Sequence, residues 1–226
     1  MDNPGAFSPP LTLHGNTMSA IIVDPCHFTR LALSTTLLDM GLDTHEMLAI
    51  RTLSALRENI GLMMPHAVFI NELCFCRSPA GTAQFRQIID NYPGTQFVIL
   101  IDYEQANYRE FVPLRRNIVI LSKSARPHTL YPLLRQCLPA VATPDDEDEI
   151  DLTPLLLSRS ESQVLNMWMA GQPTPVISRQ LNIQQKTVSL YKGNIRRKVG
   201  CMNNQVIHHV ARLAGQLTSG IQVTRR

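Results

Sequence analysis

Long hydrophobic runs are the first thing this sequence lacks. No apolar stretch among its 226 residues approaches the roughly 18 needed by a membrane-spanning helix. The longest, Phe97-Val-Ile-Leu-Ile101 and Ile118-Val-Ile-Leu121, are strand-sized, so no membrane partner is expected. Met1 to Thr17 show no basic start followed by a hydrophobic stretch, so no secretory signal is visible. Cysteine is scarce: five residues, an odd number without repeated spacing, make no disulfide framework, and the simplest compartment is a reducing cytosol. Glycine numbers 11 and is nowhere patterned as a phosphate-binding loop. Cys74-Phe-Cys76 lacks the CxxC spacing and a second ligand pair, and His208-His209 diverge on a helix, so no metal site is expected. No Ser/His/Asp or Cys/His constellation can be assembled, which leaves catalysis, cofactors and small-molecule ligands without support.

What is present is a core. Hydrophobic residues make up 44% of the chain, which rules out wholesale disorder, and the length suits two ordinary domains. The formal net charge of +3 is an average over unlike parts. Residues 1–144 balance to zero, and residues 145–153 carry Asp145, Asp146, Glu147, Asp148, Glu149 and Asp151, a charge of −6. Residues 154–226 hold ten Lys/Arg against Glu161 alone, a charge of +9. A basic domain is the electrostatic footprint of a polyanion binder. The stretch 139–153, interrupted by Pro139 and Pro144 and self-repelling, predicts a solvated linker.

Ahead of that linker, short apolar runs alternate with helical patterns. Ala20–Asp24, Ala67–Asn71, Phe97–Ile101 and Ile118–Leu121 predict buried strands, with a weaker one near Met47–Ile50. Phe28, Leu31, Leu33, Leu37 and Leu38, then Leu53, Leu56 and Ile60, recur at helical spacing. Such alternation predicts a small α/β domain with a doubly wound parallel sheet, whose functional crevice lies at the carboxyl ends of the strands. Asp24 ends the first strand, Asn71 the third, and Lys123 follows the last. This arrangement resembles the receiver domains of response regulators, in which an acidic pair holds Mg²⁺, an aspartate accepts phosphate and a lysine contacts it. Here Asp24-Pro25 leaves one carboxylate, Asn71 stands at the acceptor position, and Ile101 replaces the small hydroxyl residue. A neutral amide is a poor nucleophile and adds no charge for a hard dication. The expectation is a receiver-like fold with an inactive pseudo-acceptor, Asn71. Asp24 and Lys123 are then remnants forming a structural ion pair.

The C-terminal part carries the more specific signal. Ser158-Arg-Ser-Glu161 is a capping box, followed by the apolar face of Val164, Leu165, Trp168 and Met169. Gly171 suits a left-handed cap, Thr174-Pro175 reads as an N-cap with proline at the first helical position, and Val176, Ile177 and Leu181 face inward on a short helix. Asn182-Ile-Gln184 makes a turn, and a third helix over about 185–199 buries Val188, Ile195 and Val199. A short helix, a tight turn and a second helix with a basic outer face is a helix-turn-helix, here over Thr174 to Gly193, whose second helix fits the major groove. Val206, Val210, Leu213 and Leu217 form the stripe of a fourth helix.

Ser158, Glu161, Val164, Leu165, Gly171, Ile177, Leu181, Ile183, Lys186-Thr-Val188, Asn194-Ile195 and Lys198 closely resemble the LuxR-type helix-turn-helix family. The resemblance implies that Ser189, Leu190 and Gly193 meet base edges of double-stranded DNA. Lys186, Thr187, Lys192, Arg196 and Arg197 would meet phosphates, and the stripe of the fourth helix would serve dimerisation as well as the core. A wider resemblance, from Met18 onward, is to auxiliary regulators of capsular polysaccharide synthesis in enterobacteria. It rests on Ser19-Ala-Ile-Ile-Val-Asp24, Val68-Phe-Ile-Asn-Glu72, Leu121-Ser-Lys-Ser124, Met167-Trp-Met-Ala-Gly-Gln172, Lys192-Gly-Asn194 and Gln205-Val-Ile207. It implies a transcription activator that pairs with a cognate, phosphorylatable response regulator, and it leaves residues 1–18 as an extension that an upstream start would explain. The expected architecture is a receiver-like doubly wound parallel sheet domain over 19–138, the linker, and an all-α four-helix LuxR-type domain over 154–226. Two alternatives remain at this point: an interaction protein that sequesters a partner regulator, and a flavodoxin-like enzyme using the α/β domain.

Overall fold

The computed structural model describes residues 18–102, 109–138 and 150–224. Residues 1–17, the acidic residues 145–149 and most of the expected linker lie outside them. The chain begins with β1 (Ala20–Val23), α1 (His27–Asp39), β2 (Met47–Ile50), α2 (Leu53–Met63), β3 (Ala67–Asn71) and α3 (Pro79–Asn91). It continues with β4 (Gln96–Ile101), β5 (Phe111–Arg115), β6 (Ile118–Ser122) and α4 (Pro127–Cys137). The strands form a six-stranded sheet in the order β2-β1-β3-β4-β6-β5. All neighbours are parallel except β5, which runs antiparallel to β6.

Both faces of this sheet are covered, which is why its strands read as unbroken apolar runs rather than alternating ones. Ile21, Val23, Val68, Ile70, Phe97 and Ile99 pack with α2 and α3. Ala20, Ile22, Ala67, Phe69, Val98 and Leu100 pack with α1 and α4. Phe75, Phe85 and Phe97 stack from the loop after β3 through α3 to the sheet, with ring centroids 4.4 and 5.8 Å apart.

The expectation of an all-parallel sheet needs one correction. Strand β5 occupies the edge beyond β6, and Pro113 within it hid it from a reading of periodicity. An edge strand tolerates proline because one side of its ladder has no strand partner. Here that side is used differently: the Pro113 carbonyl accepts from the Leu155 N–H at 2.8 Å.

The second part comprises β7 (Leu156–Leu157), α5 (Arg159–Met169), α6 (Thr174–Leu181), α7 (Gln185–Val199), α8 (Asn204–Leu217) and β8 (Gln222–Val223). The four helices lie where the sequence places them. The tiny parallel β7–β8 pair, which ties the two ends of this part together, was not expected. The capping box forms as read: the Glu161 N–H donates to Ser158 Oγ and the Ser158 N–H donates to Glu161 Oε2. Thr174 is not the N-cap. Pro173 holds that position, and Thr174 is the first helical residue.

The two parts pack together. Helix α3 lies against α8, and the apolar residues of both join one contiguous core. Glu72 and His209 pair across the boundary at 2.7 Å, and both side chains are largely buried. Arg115 donates to Ser219 Oγ at 3.2 Å, and the Arg109 N–H donates to the Gly200 carbonyl at 2.7 Å. Gly200 caps α7 at φ +73°, and a Cβ there would collide with Arg109. Conformation and the close approach of Arg109 both call for glycine here. At the end of the linker, Ile150 and Leu152 pack against the α1–α4 layer, and the Gln136 side chain donates to the Ile150 carbonyl at 2.7 Å.

Candidate nucleic-acid interface

Two places in the fold are positioned for function, and only one of them faces outward. At the carboxyl end of the sheet, Asp24 is fully buried and three protein donors hold its carboxylate. Lys123 Nζ sits 2.9 Å from Oδ2, Asn71 Nδ2 donates to the same oxygen at 3.0 Å, and the Cys26 N–H donates to Oδ1 at 2.7 Å. The guanidinium of Arg30, buried in α1, donates to the carbonyls of Asp24 and Pro25. Burial works against the charge on Lys123, but Asp24 and Asp102 outweigh it and hold the ammonium above its ordinary pKa. Asn71 Oδ1 is also occupied, accepting from the Leu73 N–H at 2.9 Å. A divalent cation needs several anionic oxygens. One carboxylate already neutralised by a lysine does not fit one. Asp24 and Lys123 therefore form the structural ion pair that the sequence reading favoured, with Asn71 completing it.

The outward-facing place is the helix-turn-helix. Asn182 turns the chain between α6 and α7 in the left-handed conformation, φ 53°. Val188, Ile195 and Val199 anchor α7 in the core, so its opposite face is fixed in orientation. That face carries Lys186, Ser189, Leu190 and Arg197, all exposed, with Thr187 and Gly193 half-buried. Leu190 is 60% exposed in the middle of this basic surface. A Cβ added at Gly193 meets nothing within 4 Å, so packing within the domain does not call for glycine there.

Lys192 and Arg196, expected at phosphates, also have partners within the domain. Both are half-buried and lie against Trp168, with Lys192 Nζ 5.1 Å and Arg196 Cζ 5.2 Å from its ring centroid. Lys192 also donates to Thr174 Oγ1 at 3.1 Å, and Arg196 to Asn204 Oδ1 at 3.1 Å. Desolvation, with a smaller contribution from Arg196, lowers the pKa of Lys192. Trp168 is thus more than core: its π-face orients two cations, a role its sequence position alone did not disclose. The available signal was the i, i+4 spacing of Lys192 and Arg196, which puts both on one side of α7. His208 stacks edge-on to Trp168 at 6.0 Å, while its neighbour His209 turns to Glu72, so the two histidines do diverge. The stripe Val206, Val210, Leu213 and Leu217 is wholly buried, in the helical core and beneath α3, and in this arrangement offers no open pairing surface. Lys198 is spent internally, on Glu161 at 2.7 Å and the Leu156 carbonyl at 3.0 Å.

Residues 19–146 match the family described as the N-terminal dimerisation domain of the transcriptional regulator RcsA, and residues 155–211 match the bacterial regulatory proteins of the luxR family. The transcriptional regulatory protein RcsA of Salmonella typhimurium is 42% identical over 209 residues, spanning 92% of this chain and all of the relative. Its counterpart in Pantoea stewartii is 38% identical over 211 residues, with the same coverage of both chains. Among solved structures, the response regulator RcsB in complex with DNA superposes with a TM-score of 0.51 at 19% identity, covering 90% of this chain and all of that one. At that identity the likeness concerns the fold, a receiver followed by a LuxR-type domain. With both halves and the full length of its relatives accounted for, the chain belongs to the RcsA family of transcriptional regulators, which are LuxR-type DNA-binding proteins and not enzymes.

Proposed function

We propose that this chain activates capsular and exopolysaccharide biosynthesis genes as a DNA-binding heterodimer with a phosphorylatable response regulator, without being phosphorylated itself. The observation that carries the DNA-binding part is the outer face of α7, where exposed Lys186, Ser189, Leu190 and Arg197 surround the open space above Gly193. Ser189, Leu190 and Gly193 sit where base edges are read, with Leu190 suited to a thymine methyl group. Lys186 and Arg197 reach phosphates directly, and Thr187 supports them from the start of the helix. Lys192 and Arg196 reach the backbone from their seats on Trp168, which makes their positions more defined than those of free surface cations. The heterodimer part rests on the sealed crevice at Asp24, Asn71 and Lys123: a receiver-like domain that cannot take a phosphoryl group receives its signal through another protein.

The test is a gel shift on capsule-operon promoter DNA with this chain, with the cognate regulator and with both. A shifted complex requiring both proteins, and lost with Lys192→Ala/Arg196→Ala, supports the reading. Regulation in cells that survives that double substitution would instead favour a protein that sequesters its partner.

A further inference from the structure

Trp168 is the only tryptophan in the chain, and it is buried near the end of α5. Two side chains one turn apart on α7 converge on it, Lys192 and Arg196, each with its charged head about 5 Å from the ring centroid. Each is also tied to the first residue of another helix, Lys192 to Thr174 of α6 and Arg196 to Asn204 of α8. The ring itself is held by burial and by the edge of His208. Four helices thus gather two cations at one spot. Surface cations ordinarily sit free in water or beside an acid; these two are half-buried, and among the described residues no carboxylate pairs with either. Like charges held together without a counter-charge repel, and burial together with Arg196 keeps Lys192 below its ordinary pKa. Such a pair gains most from an anion placed between its members. It also borders the reading face: Ser189, Lys192, Gly193 and Arg196 fall at i, i+3, i+4 and i+7 of α7, in one row.

From these two unneutralised cations on one buried indole, we infer that Lys192, Arg196 and Trp168 form a single phosphate site, filled by one phosphodiester of the DNA backbone. The inference rests on the DNA-binding reading above and adds how many phosphates the pair takes and which residue positions it. Lys192 and Arg196 serve one phosphate rather than two because one ring gathers both charged heads. A phosphodiester carries one negative charge and two free oxygens, so each cation donates to one of them. Trp168 does not touch the DNA in this arrangement. It is a positioning residue: the negative face of its ring holds the two cations in place before DNA arrives, so less side-chain freedom is lost on binding. Leucine could fill the same core position but has no such face.

The experiment measures binding of the full-length chain, with the full-length cognate regulator, to labelled promoter DNA by anisotropy between about 50 and 200 mM salt. Each neutralised phosphate contributes about 0.9 to the slope of log affinity against log salt. With one shared phosphate, Lys192→Ala or Arg196→Ala alone is expected to weaken binding about 10-fold and leave the slope nearly unchanged, since the remaining cation still neutralises it. The double substitution is expected to lower the slope by about 0.9. A drop of about 0.9 for each single substitution and about 1.8 for the double overturns the shared site. Trp168→Leu is expected to weaken binding about 10-fold in the natural chain and not at all in the Lys192→Ala/Arg196→Ala background, with Trp168→Phe between tryptophan and leucine. An equal loss in both backgrounds, or phenylalanine no better than leucine, overturns the positioning role. Thermal unfolding checks each fold, and the alanine slopes decide the shared site whether or not Trp168→Leu folds. The emission of Trp168 separates the two sources of phosphate. A shift on adding inorganic phosphate at constant ionic strength, in a chain whose DNA binding these substitutions leave unaltered, assigns the site to free phosphate and overturns the DNA occupant. Failure of the natural chain with its regulator to bind promoter DNA overturns the DNA-binding reading itself.

Discussion

Asn71 differs from the aspartate expected of a receiver by one nitrogen, and that nitrogen is in use. Its N–H donates to Asp24 Oδ2 at 3.0 Å inside a buried pair with Lys123. Restoring the acid would set two carboxylates at that distance with one lysine between them. Asn71→Asp is expected to lower stability by about 1–3 kcal/mol, the cost of losing a buried donor. The deficit should shrink as pH falls from 7 towards 5, since a shared proton restores the hydrogen bond and like charge raises one carboxyl pKa. Thermal melts at the two pH values check this. Neither the natural chain nor Asn71→Asp is expected to take up phosphate from acetyl phosphate with Mg²⁺, because Pro25 leaves the site one carboxylate short; an acid-labile phosphate on either protein would contradict it. Gly193 gives the converse case. Alanine there fills open space and adds helix propensity, so melting should rise by an amount corresponding to about 1 kcal/mol. Affinity for promoter DNA should fall in a gel shift if the bare backbone is what lets α7 approach the bases.

At the scale of the element, α5 is held at its start by the Ser158–Glu161 capping box and along its side by Lys198 on α7. Burial alone would raise the pKa of Glu161, but hydrogen bonds from Lys198 and Ser158 prevail and lower it. A carboxylate with a depressed folded pKa contributes stability above its unfolded pKa and loses it as pH falls through the folded value. Glu161→Gln should therefore melt at a lower temperature than the natural chain at pH 7, and the gap should close in the acid range below the ordinary glutamate pKa. An equal gap at every pH would mean that packing, not charge, is what Glu161 supplies.

The capping box, the turn at Asn182 and the stripe of α7 were legible because each rests on contacts a few residues apart. Strand β5 was not, since Pro113 and the Arg115-Arg116 pair disguise a strand defined by its partner β6. The exposure of Phe28, Leu31 and Leu38 in α1 was equally hidden, because they and the buried Leu33 and Leu37 all satisfy helical spacing. Periodicity cannot say which of two apolar arcs faces the sheet. The engagement of Lys192 and Arg196 with Trp168 depends on how α5 and α7 cross, a distance of tertiary origin.

At the scale of the whole molecule, the two parts share a boundary crossed by a contact between a carboxylate and an imidazole. Glu72 follows β3 directly, so the 2.7 Å pair with His209 links the sheet to α8, while Arg212 Nη2 approaches His209 Nδ1 at 2.9 Å. Glu72→Ala removes the acceptor and leaves His209 and Arg212 facing each other under α3. Amide hydrogen exchange in α8 is expected to quicken in this variant, with exchange in β1, β3 and β4 unaltered. Unchanged protection in α8 would show that the apolar α3–α8 contact alone holds the parts together.

The antiparallel edge strand links the sheet to the second part of the chain. The segment leading into β5 bonds through Arg109 to the cap of the recognition helix, and β5 bonds through Pro113 to the residue entering the DNA-reading part. Along its length it is laced to β6, whose last residue precedes Lys123. It works as a tie-rod between the sealed crevice and the reading head. The orientation of α7 is then held in part by two backbone hydrogen bonds from one short strand and its lead-in, as a bracket holds a blade. On the heterodimer reading proposed above, a regulator built this way meets the promoter with its reading helix already oriented.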